Sequence, residues 1–303
     1  MILFINEFEQ EAIARIVKFY KIAEALGYEV AVGFSGGKDS QVVYDLCKRS
    51  GITFTAYFNH AFESSTTLKF IREHYPDVVW RRDHNFGFIE NIWKNHYSLL
   101  PTVEMSYCCK DYKHNPKYVD NASIVGVRRA ESIGRKKRKV FEGRNKTVIK
   151  HHRALFTEYF SDECIGRGTG SVIQLKPIVD WSDDEVWEYI KSHQLPVNPE
   201  YKRLKRVGCI VCPKADMTTN YRALLEHPKL IDAFIKAREK RSDVDWCIQK
   251  ENKDFKDNKI EYICRWLNHS FRPFTKRQRA LYEKVYENYT KLQTEQINNC
   301  KLS

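Results

Sequence analysis

The chain has 303 residues, 42% of them apolar and 30% charged, with a formal net charge of +12 and nine cysteines. That apolar share excludes a disordered polymer, and no apolar run approaches the roughly 20 residues a membrane span requires. The positive excess implies an anionic partner (nucleotide, sulfate or nucleic acid) without choosing among them. No basic stretch followed by an apolar one opens the chain, because Glu7, Glu9 and Glu11 arrive at once. The expected location is cytoplasmic, with no membrane partner, and cysteines there point to metal or redox chemistry before disulfides.

Asn6 to Ala25 predicts an amphipathic helix. Asn6 and Glu9 make a capping-box-like start, Ile13, Ile16, Val17 and Tyr20 share a face, and Gly27 stands just past the end. Val30 to Val32 predicts a strand that runs through Ser35-Gly36-Gly37-Lys38-Asp39-Ser40 into a helix from Lys38 to Arg49. The glycines let the backbone approach a ligand, and the free N–H groups of the first helical turn suit phosphate or sulfate. Lys38 adds a point charge, Ser35 and Ser40 add hydroxyls, and Asp39 can hold Mg²⁺ or orient the loop. The spacing is not that of G-x-x-x-x-G-K-[ST].

Ile52 to Phe58 predicts a second strand, leading through Asn59 into a helix that ends at His74. Val78 to Trp80, Ala122 to Val127 and Val172 to Val179 predict further strands, and Phe86 to Tyr97 a helix. Ser182 with Glu185 forms a capping box that opens another helix, through His193. The alternation predicts an α/β fold with a parallel sheet and right-handed crossovers. Ligands bind beyond the carboxyl ends of such strands, where Ser35 and Asn59 should border one crevice. Arg135 to Lys150 has dense positive charge and few apolar residues, and is expected to be a mobile loop.

Cys108-Cys109 and Cys209-Ile-Val-Cys212 are the next signals, the second a chelating spacing. Together they suit a [4Fe-4S] cluster or a structural Zn²⁺. Adjacent cysteines on extended backbone point apart, which serves two corners of a cube more easily than one small ion. Cys47, Cys164, Cys247, Cys264 and Cys300 show no partner spacing. Beyond Pro213 come helices expected over 221–241, 259–267 and 276–292. The expected division is an N-terminal helix (1–27), a nucleotide-binding and cysteine-cluster domain (28–214) and a basic helical region (215–303).

Ser35 to Ser40 resembles the PP-loop of the ATP pyrophosphatase superfamily, whose members split ATP between the α- and β-phosphates. Three further features follow it in order: the tandem cysteines, Gly126-Val-Arg128-Arg129-Ala-Glu131-Ser132, and Leu175-Lys-Pro-Ile-Val-Asp180-Trp181 before the C-x₂-C-P. That order is similar to the phosphoadenosine phosphosulfate reductase family over about residues 28 to 215. It resembles in particular the iron–sulfur adenylyl-sulfate reductases and the DNA phosphorothioation sulfur-transfer proteins.

The resemblance implies a Rossmann-like, adenine nucleotide alpha hydrolase-like sheet with helices on both faces, plus a helical C-terminal region. It implies an adenine nucleotide held by Ser35, Gly36, Gly37, Ser40, Asn59, Gly126, Arg129, Glu131 and Ser132. Lys38, Asp39 and Arg128 would be catalytic, and Cys108, Cys109, Cys209 and Cys212 would hold the [4Fe-4S] cluster, with Zn²⁺ as the alternative. Sulfonucleotide reductases carry a Glu-Cys-Gly-aliphatic-His segment near their end, whereas Cys300 here sits in Asn298-Asn299-Cys300-Lys301-Leu302-Ser303. The intact S-G-G-K-D-S wording and this departure both point to ATP with Mg²⁺. The expected function is ATP-dependent activation of a substrate for sulfur transfer, with nucleic acid as acceptor and a sulfur donor protein as partner. A sulfonucleotide reductase releasing sulfite and a non-catalytic nucleotide-binding module are the alternatives.

Overall fold

The computed structural model describes residues 2–81, 86–114, 120–168, 171–240, 258–267 and 274–301. It divides into two compact units, residues 1–82 with 111–208 and residues 83–110 with 209–303. Residues 1–27 therefore belong to the first unit. The later division falls at Gly208 and not near Ala215, and the second unit also takes in residues 83–110.

In chain order the elements begin with α1 (Ile2–Ala25), β1 (Val30–Phe34), α2 (Lys38–Arg49), β2 (Thr55–Asn59), α3 (Ser65–His74) and β3 (Val79–Arg81). Next come α4 (Phe88–Asn95), β4 (Ala122–Ile124), β5 (Phe141–Gly143), α5 (Lys146–His151), α6 (Arg153–Tyr159), β6 (Ile165–Arg167), β7 (Ile173–Leu175) and α7 (Asp183–Ser192). After them follow α8 (Met217–Glu226), α9 (Lys229–Glu239) and the helices Lys259–Leu267 and Lys276–Lys301.

The first unit is built on a seven-stranded sheet in the order β3-β2-β1-β4-β7-β5-β6. The first five are mutually parallel; β5 runs antiparallel to β7 and parallel to β6. This is the Rossmann-like α/β arrangement that the alternation predicts. Val30, Ala31 and Val32 are all buried, as a central parallel strand covered on both faces requires. From β1 the chain winds outward to β2 and β3, then returns to place β4 on the other flank of β1. That reversal leaves a crevice beyond the carboxyl ends of β1 and β4.

Helix α1 packs against α2, α6 and α7, and its Ile16, Phe19 and Ile22 are fully buried in the core. It begins at Ile2, so Asn6 lies inside the helix and does not cap it. The capping box at Ser182 and Glu185 is present, with the Glu185 N–H donating to Ser182 Oγ at 3.2 Å. Strands are shorter than the apolar runs suggest: β2 starts at Thr55, β4 ends at Ile124, and β7 stops before Pro177, whose nitrogen cannot join a ladder.

Residues 135–150 are not a loop. They hold β5 and α5, with Phe141 fully buried and its ring 5.9, 4.7 and 5.3 Å from those of Phe19, Phe156 and Phe160. Asn145 caps α5 by accepting from the Val148 N–H at 2.8 Å.

The second unit is helical. Helix α4 packs on α9, and the helix Lys259–Leu267 packs on both α8 and α9. The helix expected over 221–241 is two, because Pro228 cannot continue the hydrogen-bond ladder of α8. Among the described residues no helix is long and apolar enough to cross a membrane.

Candidate functional site

The turn from β1 into α2 is held from several directions. Gly36 takes φ +70°, a conformation that favours glycine, and a Cβ there would stand a tight 3.0 Å from Ile71 Cδ1. The Gly36 carbonyl accepts from Gln41 Nε2 (3.1 Å) and Asn198 Nδ2 (3.0 Å). Ser40 Oγ accepts from the Ser35 N–H (3.1 Å) and donates to the Gly37 carbonyl (2.8 Å). Gly37 is the N-cap with ordinary extended φ, so only one of the two glycines adopts the left-handed conformation. The Lys38 N–H, at the positive end of α2, donates to the Tyr201 hydroxyl at 2.8 Å. Burial pushes the Tyr201 phenol up to about 12, which keeps it neutral there.

Behind this turn two cations and two carboxylates interlock. Lys38 Nζ lies 2.6 Å from Asp183 Oδ1 and 3.3 Å from Asp39 Oδ1. Arg128 reaches the same two groups, through Nε to Asp39 and through Nη2 to Asp183 at 2.8 Å, and donates from Nη1 to the Trp181 carbonyl. Lys38 is 5% exposed and Arg128 2%. Burial works against the Arg128 charge, but Asp39 and Asp183 outweigh it and raise its pKa. Burial would likewise raise the Asp183 carboxyl, yet Lys38 and Arg128 hold it below the ordinary aspartate value. Sequence reasoning missed Asp183, although it is the first residue of α7, two short of the Glu185 that marked the capping box. Gly126 sits against the first turn of α2, where a Cβ would come within 2.7 Å of the Asp39 backbone.

The remaining residues of that segment play local parts. Glu131 accepts from the Arg128 N–H at 2.9 Å. Arg129 pairs with Asp180 and donates from Nε to the Arg138 carbonyl, while Ser132 is exposed.

In front of the strand ends lies a cleft of about 720 Å³. Ser35 and Asn59 line it, as expected; Lys38, Asp39 and Arg128 stand outside its described lining. Asn59 donates to the Lys113 carbonyl at 3.0 Å, and its Oδ1 is buried with no hydrogen-bond partner among the described residues. Cationic side chains of the wall are matched with carboxylates: Arg81 with Asp120 (2.6 Å), Lys113 with Glu63 (3.0 Å), and Arg135 with Glu131.

The four cysteines all belong to the second unit, are half-buried and form no disulfide among the described residues. The hydrogen bond to Cys109 and then burial push the Cys108 thiol far up, and the charges of Cys109, Cys209 and Cys212 add to the shift. Cys109, Cys209 and Cys212 thus all lie near enough to act on the Cys108 thiol. The backbone at Cys108 and Cys109 is helical, with a π turn over Cys109–Lys113, and not extended as expected. Among the described residues no three metal-ligating side chains converge on a single ion-sized point. Two pairs of half-buried thiols within one unit nevertheless fit an iron–sulfur centre or Zn²⁺ in donor chemistry.

Two side chains, Lys214 and Asn220, hold these segments. Lys214 Nζ donates to Ser106 Oγ at 2.9 Å, and buried Asn220 accepts from the Cys212 N–H (3.0 Å) and donates to its carbonyl (2.9 Å). Neither carried a spacing signal. Cys47 and Cys264 are buried, and burial pushes the Cys264 thiol up to about 12. Cys247 and the Cys300 side chain lie outside the described residues.

Comparison with known proteins agrees with this architecture. An uncharacterised protein of Methanocaldococcus jannaschii is 24% identical over 244 residues, covering 76% of this chain and 53% of that protein. A second from the same organism is 29% identical over 241 residues, covering 75% and 44%. This chain therefore spans about half the length of these two relatives. An adenosine 5′-phosphosulfate reductase of Oceanobacillus iheyensis is 26% identical over 200 residues, covering 62% of this chain and 73% of the reductase. The phosphoadenosine phosphosulfate reductase domain matches residues 29–215, and the chain belongs to that family.

Proposed function

We propose that this enzyme of sulfur metabolism cleaves ATP to pyrophosphate and an adenylated substrate, preparing that substrate for sulfur transfer. The observation that carries the reading is the Ser35–Ser40 turn, whose backbone and α2 N-terminus form a phosphate cradle beside the cleft. An acceptor oxygen attacks the α-phosphorus and gives its proton to solvent. The bond to the bridging oxygen breaks, and pyrophosphate leaves with the electron pair. A phosphate arriving at α2 takes the place of the Tyr201 hydroxyl on the Lys38 N–H. Lys38 and Arg128, fixed by Asp39 and Asp183, supply positive potential for the departing charge. Mg²⁺ bound with the nucleotide would neutralise its phosphates. Asn59 Oδ1, an open acceptor in the cleft, suits the amino group of adenine.

Cys108, Cys109, Cys209 and Cys212 would hold a [4Fe-4S] cluster, with Zn²⁺ as the alternative; the cluster supplies a place to pass sulfur or electrons. Exposed Lys136, Lys137 and Lys139 favour a nucleic acid acceptor, and a sulfur donor protein would complete the reaction.

A second reading, sulfonucleotide reduction, draws support from the relatives named adenosine 5′-phosphosulfate reductase. Anaerobically purified protein separates the two. Pyrophosphate release from ATP with Mg²⁺, about four irons per chain and salt-sensitive nucleic acid binding are expected. Thiol-dependent sulfite from adenosine 5′-phosphosulfate, without ATP cleavage, would establish the reductase instead.

A further inference from the structure

Lys176 follows β7 directly and is pinned by its N–H donating to the Val140 carbonyl at 2.8 Å. It is 1% exposed and is one of the residues lining the cleft. Nζ pairs with Glu142 Oε2 at 2.9 Å, and among the described residues it has no other acceptor and no well-aligned hydrogen bond. Glu142, from the centre of β5, is 2% exposed and is shared: Arg138 Nη1 lies 3.1 Å from the same oxygen, and the Lys139 N–H donates to the other at 3.3 Å. Two cations thus face one carboxylate. The interlocked group behind the PP-loop balances two against two, and Arg81, Lys113 and Arg135 each have a carboxylate partner. Burial, the largest influence, holds the Lys176 ammonium below the ordinary lysine value in spite of Glu142. A buried cation with unused donors is costly unless an anion completes its shell.

We propose that Lys176, together with Arg138 and the Glu142 carboxylate they share, forms a second anion position in this cleft, apart from the PP-loop, for a tetrahedral oxyanion. An ammonium and a guanidinium present donors to several oxygens at once, as a phosphoryl or sulfuryl group requires. The oxyanion is either part of a bound nucleotide or a free inorganic ion. The inference deepens the reading of the cleft as a nucleotide site and rests on it. Glu142 is then an internal competitor, occupying the two cations until the ligand arrives.

That competition gives the test its sign. Titration calorimetry with inorganic pyrophosphate, sulfate, ATP and adenosine compares the wild type with Lys176→Met, Lys176→Arg and Glu142→Gln. Lys176→Met should weaken binding of an oxyanion probe at least tenfold, Lys176→Arg by no more than about threefold, and Glu142→Gln should strengthen it several-fold. Adenosine, which carries no oxyanion, should bind all four proteins alike. A dependence confined to ATP assigns the site to the nucleotide's own phosphates; one shared by pyrophosphate or sulfate assigns it to free oxyanions as well.

Both Lys176→Met and Glu142→Gln break the same ion pair. A purely structural pair would therefore move them in one direction, and urea midpoints identify any variant that fails to fold. The proposal is overturned if no oxyanion probe binds the wild type, if Lys176→Met binds them all as the wild type does, or if both variants weaken together. Absence of ATP cleavage with the opposed pattern intact would remove the catalytic reading and leave this site standing.

Discussion

Asp183 is 61% exposed, yet it joins Lys38 of the Ser35–Ser40 turn to the arginine of the Gly126–Ser132 segment. Its carboxyl is held below the ordinary value of 3.8, so its contribution to stability is full above that value and is lost as pH falls through the lower folded one. Asp183→Asn should cost about 1–2 kcal/mol at neutral pH, the low end for charge-assisted bonds because the group is solvent-screened. Urea unfolding at pH 7 and pH 3 should show the gap narrowing in acid, as pH falls below 3.8 towards the lower folded value. A gap independent of pH would mean the carboxylate charge contributes nothing. The same variant should slow pyrophosphate release about tenfold, equivalent to 1.4 kcal/mol, because Lys38 and Arg128 lose the group that aligns them.

At the level of elements, β5 shows where sequence patterns mislead. Phe141→Ala should destabilise the first unit by about 3–4 kcal/mol through lost burial and a cavity among Phe19, Phe156 and Phe160. A shift below about 1 kcal/mol in urea unfolding would mean the segment is peripheral after all. The strand was hidden because it is three residues long and flanked by Arg138, Lys139 and Arg144, so no period could register. β1 and α2 were legible because an uninterrupted apolar run meets Gly36 and a regular helix follows. Lys38, Asp39 and Arg128 stood out by motif alone, but their mutual pairing did not. Asp183 comes 55 positions after Arg128, inside a capping box that already explained its surroundings. Tyr201 and Asn198 lie around a short 3₁₀ turn with no periodicity to read, and their partners are backbone groups that any sequence carries.

Across the whole molecule, the second unit is assembled from two stretches of chain, and the stretch between them belongs to the first unit. Cys108 and Cys109 lie on the earlier stretch, Cys209 and Cys212 on the later. The bonds of Lys214 to Ser106 and of Trp266 Nε1 to the Pro101 carbonyl (2.6 Å) also join early to late. The consequence is one of time. A ribosome adding 5–20 residues per second needs about 5–20 s to travel the roughly 100 positions from the first cysteine pair to the second. Through that interval residues 83–110 have no later stretch to pack on, and Cys108 and Cys109 wait as accessible thiols. Chains arrested near residue 160 should therefore label rapidly at this pair with a maleimide, and complete chains slowly; equal protection in both would mean the early stretch folds by itself. Until translation passes Cys212, an oxidant meets these thiols before their partners do.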